Sequence, residues 1–350
     1  MPDRQHLRMV EIASIAGGEE DDDDLAAAAR AAAGDVDASL DLARRIGPAT
    51  PLPGRGRTGE RWKLLATLAV EDLTVARVVE PHLDALAILA EAARGGLAAP
   101  IAGPQQTFGV FASEGPQSSV ALDADGRLDG VKPWCSLAGR LTDALVTAAT
   151  RSGRTVLVAV DLNAPGVTVE PVEWVAHGLA AVVSGPISFA SVPATPVGPP
   201  GWYLQRPGFW WGGIGVAACW YGGSVGVART AWQQVHRRPG GVANVQLARI
   251  DLALHGMRIA LADAAAAVDD PRTPSAAFAL LAQRVRAVVA DGAEVVLREA
   301  GHLLGPGPLA FDTEHARRVA DLTIYIRQHH ADRDLAALGS GLAGGTAAPW

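Results

Sequence analysis

Three kinds of side chain in this sequence could do chemistry. His82 in EPHLDAL, and His329 beside His330 in RQHHADRD, change charge near neutral pH, so they can hold or move a proton. Ser136 in WCSLAGR adds a hydroxyl that both donates and accepts. Arg237 and Arg238 precede Pro239-Gly240-Gly241, and their planar guanidinium forks suit bidentate bonds to phosphate. Each also has a structural reading. His82 follows Pro81, where a helix start or a surface position would account for it. Ser136 could make a structural hydrogen bond at a strand end. The arginine pair could offset the dipole of a helix C-terminus. His329 stands among Arg327, Asp332, Arg333 and Asp334, which could form a solvated face.

Other patterns carry less. Cys135 and Cys219 are too few for a disulfide framework and have no zinc-ligand spacing, so a reduced, cytoplasmic setting is expected. GGIGVAA at 212–218 matches a dinucleotide fingerprint by letter only. A strand should precede it and an acid should follow some 20 residues on, but tryptophans precede it and VHRR follows. Residues 207–228 carry no charge, which is long enough to span a bilayer. The Pro-Gly start, the many glycines and the lack of a similar neighbour favour a buried helix of a soluble bundle, and no membrane is expected. The first residues lack the apolar stretch of a signal peptide, and 1–24 are expected to be without fixed structure, with the six acids at 19–24 a solvated segment or a helix start.

The elements that must position these groups follow from composition and periodicity. A chain of 350 residues, 49% hydrophobic and 19% charged, is globular and long enough for about two or three domains. A net charge of −7 argues against nucleic acid as a partner. Helical periodicity runs over 24–33, 36–45 and 61–97, with Glu80-Pro81 dividing the last into two helices and Gly95-Gly96 ending it. Between 100 and 207 come short runs rich in Val, Leu, Ile, Thr and Phe, separated by turn signals, which read as an antiparallel barrel or sandwich. Helical patterns return over 212–237, 244–267, 275–304 and 313–338, a four-helix bundle. Five of the nine tryptophans (Trp202, Trp210, Trp211, Trp220, Trp232) gather where strands give way to this bundle, which points to a pocket wall for at least one.

Helices, a small β domain and a helical bundle, in that order, resemble the acyl-CoA dehydrogenase superfamily. LDGVKPWCSLAGRLTDALVTA at 128–148 is similar to the strand pair that lies beside the flavin in that family, and FGVFASEGPQSS at 108–119 to the segment before it. TAWQQVHRRPGGVANVQLARIDLAL and REAGHLLGPGPLAFDTEHARRVADLTIYIRQHH resemble two turns of the bundle, and the resemblance covers about residues 60–339. It implies an α+β fold with an N-terminal helical domain (1–105), a β-barrel domain (106–206), a bundle (207–338) and a flexible tail (339–350). FAD, with FMN as the alternative, would be held by Ser136, Arg237, Arg238, Gln246 and Gly301, the arginines clamping a pyrophosphate from a neighbouring subunit. A homodimer or homotetramer is implied.

Departures bear on the chemistry. Pro239-Gly240-Gly241 stands where the dehydrogenases keep Phe-Gly, and His302 replaces the second glycine of their Gly-Gly. An ungapped match puts His329 where the terminal-helix glutamate base would be, and the alternative base position falls in acid-free GGIGVAACWYGG. The resemblance therefore leaves three readings. One is a flavin oxidoreductase acting on an acyl-CoA or related small substrate without the usual glutamate. A second is a two-component flavin monooxygenase, fed by a flavin reductase, with catalytic His329 and His82 beside Ser136. The third is a non-catalytic homologue that has lost flavin.

Overall fold

The computed structural model describes residues 19–115, 118–237 and 240–345. Four helices come first: α1 (Glu19–Ala31), α2 (Val36–Ile46), α3 (Thr58–Glu71) and α4 (Leu73–Arg94). Helix α1 begins at Glu19, so of the two readings of the acidic run the helix start holds. Carboxylates are favoured there by the positive end of the helix dipole. Residues 1–18 lie outside the described residues.

The break expected at Glu80-Pro81 lies instead at Asp72. Asp72 adopts extended geometry (φ −157°, ψ 123°), and its carboxylate accepts the Val75 N–H at 3.0 Å, a cap that starts α4. Pro81 rides inside α4, where its missing donor costs one helical hydrogen bond. The cost is absorbed because α4 is walled in. Val75, Val79, Ala85 and Ile88 are fully buried, and the helix packs against α2, α3, α6 and strand β1.

The strands are β1 (Phe108–Phe111), β2 (Ala121–Leu122), β3 (Arg127–Ser136), β4 (Asp143–Thr150), β5 (Thr155–Asp161), β6 (Val167–Val169), β7 (Ser184–Pro193) and β8 (Thr195–Val197). The sheet runs β6-β7-β3-β2-β4-β5-β8, with β1 paired to β4. Most pairs are antiparallel, but β1 and β2 each run parallel to β4. They are two segments along one edge of β4, β1 against Asp143–Val146 and β2 against Ala149–Thr150. Strand β4 is buried on both sides: Leu145 belongs to the buried cluster that holds Ile88 and Tyr203, while Ala144 and Val146 join the main core.

After the short α5 (Trp202–Gln205) come α6 (Pro207–Arg237), α7 (Val242–Asp269), α8 (Ala277–Leu304), α9 (Gly307–Phe311), α10 (Thr313–Tyr325) and α11 (Asp332–Ala343). Helix α6 is the axis of the molecule, in contact with α3, α4, α7, α8 and α10. The charge-free run over 207–228 follows from that position. Its glycines set how closely α3 approaches: a Cβ on Gly222 would stand 2.2 Å from the Ala66 carbonyl oxygen, and one on Gly226 2.9 Å from that of Val70. Among the described residues, no helix is long and apolar enough to cross a membrane.

The last helix expected over 313–338 is two. Helix α10 ends in one 3-10 turn (Ile326–Gln328); His329 then turns to extended geometry, Ala331 takes φ +43°, and α11 continues to Ala343. The segment from 339 to 343, expected as flexible tail, is therefore helical.

Candidate active site

Strand β3 ends in an irregular stretch. Its pairing with β7 shifts register between Lys132 and Cys135, and both Trp134 (φ +60°) and Leu137 (φ +59°) lie in the left-handed region that non-glycine residues rarely occupy. Packing holds the stretch from beneath. Lys132, fully buried, is bonded to Glu114 at 2.8 Å and Thr147 at 2.7 Å, and Cys135 is buried, which pushes its thiol up to about 12. The consequence is that the Trp134 indole stands 62% exposed at the strand end.

Ser136 closes the strand. Its hydroxyl accepts from Arg77 Nη2 of α4 at 2.9 Å and lies 2.8 Å from the Ser184 hydroxyl. Ser184 gives its own proton to the Val182 carbonyl, so Ser136 donates to Ser184. From Arg77 the contacts run inward. Its guanidinium lies 5.8 Å from the ring centre of Tyr325 in α10, and that ring meets Trp220 of α6 edge-on at 6.3 Å. Arg286 of α8 sits 4.7 Å from the Trp220 ring centre and donates to the carbonyls of Gly213 (2.8 Å) and Gln328 (3.1 Å). Arg286 thus pins the turn that carries the next residue, His329.

His329 is buried, at 8% exposure, not part of a solvated helix face. Burial pulls its pKa down against the opposing charge of Asp334, whose carboxylate is 4.0 Å from Nε2. His330 alone of the pair faces outward. Ser136 and His329 therefore lie at opposite ends of one chain of contacts through Arg77, Tyr325, Trp220 and Arg286.

His82 does not join them. It is neither a cap nor a surface residue. It is buried in α4 with Nδ1 accepting the Phe108 N–H at 3.2 Å and its ring stacked on Phe108 at 6.1 Å. Burial pulls its pKa down to about 4, so it is neutral. Two residues along an α-helix is about 200°, and the side of α4 away from His82 carries Arg77, Glu80 and Asp84. Glu80, 8% exposed, is raised to about 7 by burial and then by Asp84, against the pull of Arg77, Arg61 and Arg286. Asp84 is raised by burial too. Among the described residues neither carboxylate has a hydrogen bond or an ion pair at bonding distance. Asp84, Arg77 and Arg286 keep part of their surface accessible, so the cluster is reached from solvent. The Tyr325 hydroxyl, against the Cys219 thiol without ordinary hydrogen-bond geometry, and the Trp220 N–H are buried and unpartnered beside it.

The remaining expected positions are peripheral within one chain. Arg237 is exposed at the end of α6, Gln246 is half-buried on α7, and Gly301 is exposed on α8 with nothing near its Cα hydrogens. Arg238 lies outside the described residues. The letters GGIGVAA fall inside α6 and form no phosphate-binding turn. Arg77, Glu80, Asp84, Arg61 and Arg286 went unread in the sequence. The signal was there for three of them: charges at i, i+3 and i+7 on one face of an otherwise apolar helix.

Solved structures share this architecture. KijD3, in complex with FMN and an amino-keto sugar nucleotide, matches with a TM-score of 0.79 over 96% of this chain and 96% of its own, at 18% identity. A steroid ACAD, Tcur3481-Tcur3483, matches with a TM-score of 0.67 over 93% of this chain and 98% of its own, at 22% identity. The chain has the acyl-CoA dehydrogenase fold. Another structure with this fold, the dibenzothiophene monooxygenase TdsC from Paenibacillus sp. A11-2, matches with a TM-score of 0.73 over 92% of this chain and 95% of its own, at 16% identity, and has also been solved with FMN bound. No family model matches the sequence. No curated protein matches it either. In this acyl-CoA dehydrogenase fold the Trp134–Ser136 strand end, the face of α4 and the α10–α11 turn converge on one interior cluster.

Proposed function

We propose that this chain is a flavin-dependent oxidoreductase that takes FMN in preference to FAD and works as a monooxygenase on a small molecule. The observation that carries the reading is the β3 end, a strained, exposed Trp134 ring two residues from a hydroxyl held by Arg77. A flat aromatic platform with an adjacent donor fits a tricyclic ring system, and Trp134 and Ser136 would hold it. A bound flavin supplies two-electron and oxygen chemistry. The chain's own residues supply the rest. His329, buried and neutral, can donate or accept a proton, and the buried rings of Tyr325 and Trp220 give the interior an apolar wall. FMN leads because KijD3 and TdsC hold FMN. Arg237, one of the two arginines expected to clamp a pyrophosphate, also lies exposed at the end of α6. Reduced flavin would come from a separate reductase.

Titration with FMN and FAD, followed by flavin and tryptophan fluorescence, tests the cofactor. FMN should bind at least about tenfold more tightly, a difference of ~1.4 kcal/mol. A protein that takes up neither flavin removes the enzyme reading. Mixing the reduced flavoprotein with oxygen in stopped flow tests the reaction. A long-lived absorbing species between reduced and oxidised flavin supports the monooxygenase, and direct reoxidation to flavin and peroxide argues against it.

A homo-oligomer is part of the same proposal. Helix α7 shows solvent an apolar row of Val245 (49% exposed), Leu252 (69%) and Ile259 (50%), spaced by seven, the period of a helix–helix seam. A second copy of this chain is the occupant we assign to it, bringing α7 and the Gln246 region of each copy together.

A further inference from the structure

We propose that Ser136 offers a bound flavin only a lone pair, so that the site selects reduced flavin over oxidised flavin, with Arg77 and Ser184 as the positioning residues that fix its polarity. This rests on the flavin reading and adds the redox state of the ligand to it. Ser136 and Ser184 are the last pair of the β3–β7 ladder, and residues directly opposite in an antiparallel pair share one face of the sheet. Their hydroxyl oxygens stand 2.8 Å apart, and both residues are half-buried. Three hydrogen bonds then run in one direction. A guanidinium only donates, and Arg77 Nη2 gives a proton to Ser136 Oγ at 2.9 Å. A carbonyl oxygen only accepts, and that of buried Val182 takes the Ser184 proton at 3.1 Å. Between these fixed ends Ser136 donates to Ser184.

A hydroxyl has one proton and two lone pairs. The proton and one lone pair of Ser136 are taken within the protein, which leaves one lone pair for a ligand. The N–H donors at this strand end are those of Arg77, and Ser136 itself can only accept. To offer its proton to a ligand, Ser136 would have to take the proton of Ser184 in exchange, and the buried Val182 carbonyl would lose that bond. An unmet buried acceptor weakens the binding that causes it by about tenfold. Reduction changes a flavin in the one respect that this polarity reads. The ring nitrogen N5 has a lone pair and no hydrogen when oxidised, and carries a hydrogen when reduced. A lone pair on Ser136 accepts from the second and repels the first. The ring nitrogen N3 keeps its hydrogen in both states, so a contact there would give no preference. The selection makes and breaks no covalent bond, and the electrons arrive already on the flavin from the reductase.

Binding to the full-length chain tests this without turnover. Three ligands are titrated by tryptophan fluorescence: oxidised FMN, photoreduced FMN in the absence of oxygen, and oxidised 5-deaza-FMN, in which a C–H replaces N5. Wild type should bind reduced FMN at least about tenfold more tightly than oxidised FMN, which is ~30 mV on a two-electron couple. It should bind 5-deaza-FMN at least as tightly as oxidised FMN, because the lone pair removed had no donor to meet. Ser184→Ala frees the Ser136 proton and changes no charge. Oxidised FMN should then tighten by about tenfold, 5-deaza-FMN should stay within about twofold, and the preference for the reduced state should shrink by the same factor. Ser136→Ala, with neither proton nor lone pair to offer, should bind oxidised FMN and 5-deaza-FMN alike. Wild type that binds oxidised FMN as tightly as reduced FMN, or more tightly than 5-deaza-FMN, overturns the proposal. So does a folded Ser184→Ala protein that keeps the wild-type ratio of FMN to 5-deaza-FMN affinity. Folded wild type that takes up none of the three ligands overturns the flavin reading and this one with it, whereas flavin binding without the redox preference overturns this one alone.

Discussion

Replacing single glycines of α6 by alanine tests the packing that places Trp220, Cys219 and the Arg286 anchor in the interior. The three positions chosen predict opposite signs. At Gly222 the new Cβ would stand 2.2 Å from the Ala66 carbonyl oxygen and 2.8 Å from the Ala69 Cβ. An ordinary C···O contact is about 3.3 Å, so two helix backbones must part by roughly 1 Å. Overpacking of that kind costs about 3 kcal/mol, offset by about 1 kcal/mol of helix propensity, for a net loss of about 2 kcal/mol. At Gly215 the nearest atoms are Leu65 Cδ1 at 3.4 Å and Trp62 Nε1 at 3.7 Å, so the change is close to neutral. At Gly213 only Arg286 approaches, at 3.6 Å, and alanine should stabilise by about 0.5–1 kcal/mol. Denaturant midpoints at unchanged slope measure all three. Gly222→Ala should also weaken the Arg286–Gly213 bond and lower FMN affinity, because the shift moves α6 against α8. A Gly222→Ala protein as stable as wild type, or three variants moving together, would refute the close approach of α3 and α6.

Three further outcomes are expected. Trp134→Ala should weaken FMN at least about tenfold with little change in melting temperature, because the ring is 62% exposed; titration and melting curves check this, and the opposite pattern would make Trp134 structural. His82 is lowered from 6.5 to about 4, so the folded state binds fewer protons than the unfolded one between those values, and stability is lost as pH falls from about 6.5 toward 4, by up to ~3 kcal/mol. His82→Asn, which keeps an acceptor for the Phe108 N–H, should flatten that slope in denaturant melts. Leu252→Glu puts a charge in the exposed row of α7 and should reduce the mass seen by light scattering to that of one chain; a wild type that is already monomeric ends the idea.

The order of elements was legible because each type leaves its own period. Alanine-rich 3.6-residue patterns, then short β-branched runs, then long helices gave the sequence of layers. What failed were features set by distant parts of the chain. Pro81 reads as a break, yet α4 passes through it because Val75, Val79 and Ile88 are locked into neighbouring layers, while the break goes to Asp72, whose carboxylate can cap. The single long helix over 313–338 divides at His329, where Arg286, 42 residues away in sequence, takes the Gln328 carbonyl out of the helical ladder. The strands read as an antiparallel barrel or sandwich, but β1 and β2 each lie parallel to β4, because pairing direction depends on where β4 lies.

The same logic separates the site residues that were legible from those that were not. Ser136 and His329 were singled out by motif, and the fold brings each into contact with the one interior network through Arg77 and Arg286. His82 was chosen by residue type, but type does not give direction on a helix, and two residues' offset from Glu80 turns it to the sheet instead. The stripe Arg77, Glu80, Asp84 has the spacing of an ordinary solvated face, which is why it drew no notice. Yet a solvated face needs solvent. The other faces of α4 are buried, with Val75, Val78, Val79, His82, Leu83, Ala85, Ile88 and Ala92 all covered, and a helix covered on those sides lies within the fold. A charged stripe on such a helix must look into the interior, where an uncompensated carboxylate is costly. Compensation by Arg61 from α3 and Arg286 from α8 is what lets Glu80 stand there. Among the described residues no hydrogen bond holds Glu80, so it is the charge of arginines on three separate helices that offsets its burial, a compensation that the periodicity of one helix does not reveal.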